Sequence, residues 1–105
     1  MKIQIYLLVI AILSLSACTW VDPTPGAKEV LLVKPYNVNN CKQLGAITTR
    51  VQNTIGPIVR DEEKVARELV TLGKNEAAER GGDSIVIKKP AKDGAMSFDV
   101  YKCAP

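Results

Sequence analysis

Residues 61–87 read DEEKVARELVTLGKNEAAERGGDSIVI, and this stretch decides the fold. Asp61 can cap a helix N-terminus, and Glu62 and Glu63 complement the positive end of the helix that follows. Val65, Leu69, Leu72 and Glu76 fall on one helical row, and Ala66, Val70, Gly73 and Ala77 fall on the next. Together they form an apolar stripe with small residues toward its C-terminal half, so the helix is expected to approach a sheet closely. Gly81-Gly82 ends it, because glycine readily takes the left-handed conformation that closes helices. Ser84-Ile85-Val86-Ile87 is then a continuous apolar run and reads as a central strand. The triplet Asp61-Glu62-Glu63 could be offered as a metal or catalytic cluster, but helix-start chemistry explains it without further assumption.

On the C-terminal side, Lys88 to Gly94 reads as a basic turn, and Ser97 to Lys102 alternates as a last strand, giving an antiparallel hairpin. On the N-terminal side, Glu29 to Lys34 contains Val30-Leu31-Leu32-Val33, a short apolar run with β-branched ends that Pro35 stops, and reads as a first strand. Ala46 to Val51 alternates as a second strand after Cys41-Lys42-Gln43-Leu44-Gly45. Gly56-Pro57 marks a turn. Ile55, Ile58 and Val59 around it are apolar for a loop. They are expected to pack under the sheet, with an exposed contact surface as the other reading. The helix makes a crossover between the second and third strands, right-handed if those strands run parallel. The expectation is an α+β fold, one helix packed on a sheet of about four strands, forming a single small domain over 28–105.

The chain opens differently. Lys2 is the lone charge ahead of Ile3 to Leu15, a run of thirteen residues interrupted only by Gln4 and otherwise nearly all apolar. A spanning helix needs about 20 apolar residues, so this is a signal rather than a span. Leu15-Ser16-Ala17-Cys18 reads as a bacterial lipobox, making 1–17 the signal peptide and Cys18 the lipidated residue. One acyl chain holds a protein only marginally and two or more hold it stably, so a lipidated Cys18 is an anchor. In the enterobacterial lipoproteins that this stretch resembles, an aspartate after the cysteine favours retention in the inner membrane; Thr19 stands there, so the resemblance implies the outer membrane, facing the periplasm. Residues 18–27, with Pro23 and Pro25, read as a stiffened tether. Trp20 would sit near the headgroups or be an ordinary linker aromatic.

Removing the leader leaves 88 of 105 residues, enough for one small domain. It also removes Lys2, leaving 13 basic residues against 11 acidic, a balance of +2 that gives no reason to expect nucleic acid. With no histidine anywhere, imidazole catalysis and most transition-metal sites are excluded. With Cys18 assigned to lipid, Cys41 and Cys103 remain. An even pair in an oxidising compartment is most simply a structural disulfide, with a redox-active pair as the alternative. Lys88, Lys89 and Lys92 could meet anionic lipid headgroups, lipopolysaccharide or peptidoglycan carboxylates, although such a group is more often a solvated loop. No serine or threonine has a base to activate it, so the chain is read as non-enzymatic, without cofactor or metal. Its expected partners are the membrane, through the anchor, and an envelope protein or wall component.

These features occur in a recognisable order. The lipobox is followed by Cys41-Lys42-Gln43-Leu44-Gly45, then Asn75-Glu76-Ala77-Ala78, Gly81-Gly82-Asp83-Ser84-Ile85 and finally Val100-Tyr101-Lys102-Cys103. The chain resembles the YjeI-like bacterial lipoproteins, domain of unknown function family 4156. It is more distantly similar to the outer-membrane stress-sensing lipoprotein of the Rcs phosphorelay. The first resemblance implies no activity. The second implies an α+β sandwich held by disulfides and a role in signalling envelope damage through protein contacts. A second disulfide and a long proline-rich tether, both implied by that second resemblance, have no counterpart here.

Overall fold

The computed structural model describes residues 21–105. The lipobox Leu15-Ser16-Ala17-Cys18, the signal peptide 1–17 and Trp20 lie outside the described residues. Six strands and one helix follow in the order β1 (Leu31–Val33), β2 (Lys42–Arg50), β3 (Thr54–Ile55), β4 (Ile58–Val59), α1 (Glu62–Glu79), β5 (Ser84–Lys92) and β6 (Ala95–Lys102). β1, β5, β6 and β2 lie side by side in that order as a four-stranded mixed sheet, and β3 and β4 form a separate small hairpin. β1 runs parallel to β5, whereas β6 is antiparallel to both β5 and β2. The α+β expectation of one helix on a sheet of about four strands is met.

The helix forms where its sequence signals place it. Asp61 accepts a hydrogen bond from the Glu63 backbone N–H at 3.2 Å. At the other end Gly81 has φ +78°, and the N–H groups of Gly81 and Gly82 donate to the carbonyls of Ala78 and Ala77. These two bonds make a Schellman closure. Val65, Leu69, Gly73 and Ala77 are the buried line of the stripe, four residues apart each time. They meet Ile47 of β2, Ile85 of β5 and Met96, Phe98 and Val100 of β6. Each fully buried large side chain, such as Phe98, Leu69, Ile85 or Val100, contributes about 1.5–3 kcal/mol. Gly73 is required by contact rather than by conformation: a Cβ there would lie 2.8 Å from the Phe98 ring. Thr49, buried on the same face, donates its hydroxyl to the Leu69 carbonyl at 3.0 Å, so strand and helix share one polar tie.

Three expectations need correction. The basic turn over Lys88 to Gly94 is not a turn, because β5 continues through Lys92 and the reversal is only Asp93-Gly94. Both turn residues have positive φ, 50° and 75°, the conformation a two-residue hairpin turn needs. The hairpin itself was expected. Ile55, Ile58 and Val59 do not pack under the sheet; they are 46%, 63% and 68% exposed on β3–β4. The proline-stiffened, extended form expected of 18–27 is not what the described residues show: Pro25 is helical, with φ -54° and ψ -41°, and Gly26–Glu29 is a 3-10 turn. Asn75 of the helix accepts from the Thr24 N–H at 2.9 Å and donates to the Asp22 carbonyl at 3.0 Å. Ala27 is fully buried beyond that clasp. The polar side chain on α1 captures the backbone.

Candidate functional site

The described surface has two ends, set by the direction of α1. At the end of β6 and the start of β2, Lys42 pairs with Lys102 across the sheet, which brings Cys41 and Cys103 together. They form a disulfide with Cα atoms 4.4 Å apart, closing 62 residues. The predicted pair is therefore bonded. Asp83, just after the helix, organises the same end. Its carboxylate accepts from the N–H groups of Cys103 and Ala104, each at 2.8 Å, and from the Ser84 hydroxyl at 3.1 Å. Lys102 lies 3.8 Å away. Partial burial alone would push this carboxyl up, but the two backbone donors, the hydroxyl and the lysine charge outweigh it. Asp83 consequently lies below the ordinary carboxylate value.

The opposite end carries the β3–β4 hairpin, the start of α1 and the β5–β6 turn. Arg60 fixes the hairpin to the helix, donating to both carboxylate oxygens of Glu68 at 3.0 and 2.7 Å. The same guanidinium donates to the Gln52 carbonyl at 2.8 Å. Both side chains are largely covered, and the hydrogen bonds that Arg60 donates to the Glu68 carboxylate hold its pKa above the ordinary value. Beneath the hairpin lies a cleft of about 380 Å3 bordered by Thr54, Val59, Arg60, Val65 and Lys92. A second hollow of about 260 Å3 sits where β1 ends, bordered by Leu32, Val33, Pro35, Val86 and Ile87.

Lys88, Lys89 and Lys92 are exposed along β5, so they form a line and not a tight turn cluster. The β5–β6 register is irregular between Ile87 and Lys92, where these lysines lie. Among the described residues, no three of the His, Cys, Asp and Glu side chains are grouped to hold a metal. Every buried side-chain polar atom described has a hydrogen-bond partner. No described helix is long and apolar enough to cross a membrane. Sequence reasoning missed Arg60–Glu68, an eight-residue spacing across a loop for which no periodicity signals contact. It also passed over Asn75 as a clasp, and read Asp93-Gly94 as the tail of a basic loop although Asp-Gly is itself a strong hairpin signal.

No curated protein and no solved structure matches this chain. Residues 21–103 match the family described as Domain of unknown function (DUF4156), which is nearly all of the described structure. The chain belongs to that family.

Proposed function

We propose that this protein is a lipid-anchored envelope domain, held by Cys18 to the periplasmic face of the outer membrane and acting through contacts and not catalysis. Within the family it stands with the YjeI-like lipoproteins. The carrying observation is the lipobox Leu15-Ser16-Ala17-Cys18 placed directly before a stapled domain whose fastened backbone begins at Asp22. Four residues separate Cys18 from Asp22, at most about 14 Å of extended chain. A domain on so short a leash would work within reach of the bilayer surface. Its surface offers apolar and charged features for contacts with an envelope protein, lipopolysaccharide or peptidoglycan, and no metal or cofactor enters this reading.

Intact mass of the membrane-extracted protein tests it. The expected result is a chain beginning at Cys18 with three acyl chains, and thiols that alkylate only after reduction. An unmodified N-terminus would overturn the anchor and, with it, the compartment. A second reading, an envelope-stress sensor, is favoured by the disulfide-held α+β architecture that the Rcs resemblance implies. It requires an envelope-stress reporter to change on deletion or overexpression, and an unchanged reporter would remove it.

A further inference from the structure

Two apolar features of the described surface are complementary. One protrudes: Ile55, Ile58 and Val59 on the β3–β4 hairpin, around the Gly56-Pro57 tip. The other is recessed. β1 pairs with β5 only from Leu31 to Val33, yet β5 runs on to Lys92, and the step between them is the hollow of about 260 Å3. Leu32 and Ile87 stand exposed at that step, at 42% and 40%. We propose that the hairpin of one copy seats in this recess of a second copy.

Shape and polarity match, since an apolar knob meets an apolar hollow. Charge matches as well. The base of the knob runs directly into Asp61, Glu62 and Glu63, all exposed; Lys64 follows, also exposed, which leaves the collar net acidic, and Arg60 on its other side is committed to Glu68. The recess is edged by Lys34 and followed on β5 by exposed Lys88 and Lys89. Seating the knob brings the acidic collar toward the basic one, and opposite potentials orient such an encounter. The same acidic collar disfavours an anionic lipid surface as the occupant, because inserting the tip would carry three carboxylates toward the headgroups. The knob is also preorganised: Thr54 pairs with Val59 and Ile55 with Ile58, and the Arg60–Glu68 pair fixes its base. A preformed knob loses little freedom on seating. The described residues leave both features exposed. The proposal does not depend on the lipid anchor.

Sedimentation velocity on the purified full chain, in density-matched detergent and across a wide concentration range, tests it. The protein component is expected to rise from the mass of one chain to that of two or more. Ile58→Asp and Ile87→Asp, both at exposed positions, should each remain single chains. Their equimolar mixture should form a two-chain species, because the first variant keeps its recess and the second keeps its knob. Leu32→Asp is the substitute if Ile87→Asp fails to fold by circular dichroism. Lys88→Glu should weaken association, and a partner carrying Glu62→Lys should restore it. A wild-type protein that stays single at every concentration overturns the proposal, as does a mixture of variants that stays single. So does self-association that both variants leave intact while Ile58→Asp abolishes binding to phosphatidylglycerol vesicles.

Discussion

The two ends of this small domain solve opposite problems. At the stapled end, a disulfide, the four-partner Asp83 carboxylate, the Asn75 clasp and the Schellman closure converge on a few turns of chain. Terminal segments normally fray, and here the first and last described segments are tied down by groups that satisfy backbone N–H and carbonyl positions. At the far end, two two-residue strands hang from one ion pair with their apolar side chains outward. The lesson concerns where a domain of this size places its few strong polar interactions. They fix the end where the chain enters and leaves, and the apolar surface left uncovered gathers at the other.

The sharpest way to break this contrast is to cut the staple. Closing a loop of 62 residues lowers unfolded-chain entropy by an amount worth about 4 kcal/mol at room temperature. Cys103→Ser with Cys41→Ser should therefore lower the urea unfolding free energy by about that much, with the slope against urea rising as the unfolded chain expands. An unchanged midpoint would mean that Asp83 and Asn75 hold the end without it. The next largest effect belongs to the layer between the ends. Gly73→Ala drives a methyl against the Phe98 ring, which is fully buried and has no open side to turn into. The expected loss is about 1–3 kcal/mol, read in the same titration.

Asp83 should give a smaller loss with a distinctive pH signature. Its folded pKa is depressed, so its contribution is fully present above the unfolded carboxylate value of about 3.9 and disappears as pH falls through the folded one. Asp83→Asn keeps the shape but loses acceptor strength toward two N–H groups and the attraction of Lys102. A stability loss of about 1–2 kcal/mol is expected at neutral pH, shrinking as wild type and variant are compared at progressively more acid pH. A gap that stays constant down to strong acid would show that Asp83 acts through shape alone.

The contrast also marks what was legible beforehand. The helix, its caps and its glycine end were readable because each rests on local chemistry within four residues. The central strand and the closing hairpin were readable as apolar runs, and Cys41 with Cys103 by elimination. What escaped reading depends on partners far apart in sequence. Asn75 reaches back 53 residues to Asp22, so no local signal distinguishes the captured segment from a proline-stiffened linker. Burial of Ile55, Ile58 and Val59 was expected because apolar side chains gain by leaving water, yet the hairpin's direction is set by Arg60 bonding Glu68 and Gln52. The lysines of β5 were grouped because a basic run followed by Asp-Gly resembles a loop. Pairing with β6 instead draws the strand out to Lys92 before the turn begins.

Glu68→Gln offers the finest test, because it isolates the ion pair that joins the far end to the helix. The substitution retains one acceptor oxygen and the side-chain size but removes the charge that makes the two-pronged grip on Arg60 strong. Arg60 would keep its bond to the Gln52 carbonyl, and the Asn53 carbonyl would still accept from the Arg60 backbone N–H at 2.8 Å. The hairpin is therefore expected to loosen without detaching. Amide hydrogen exchange should quicken between Thr54 and Val59 while the amides of β5, β6 and α1 keep wild-type protection, with the global urea midpoint little changed. If protection instead falls across the whole sheet, the hairpin is part of the cooperative core and the division into a fastened end and a presented end is wrong. Should the hairpin amides remain as protected as before, its β3–β4 pairing and backbone ties suffice, and Arg60–Glu68 sets its direction alone.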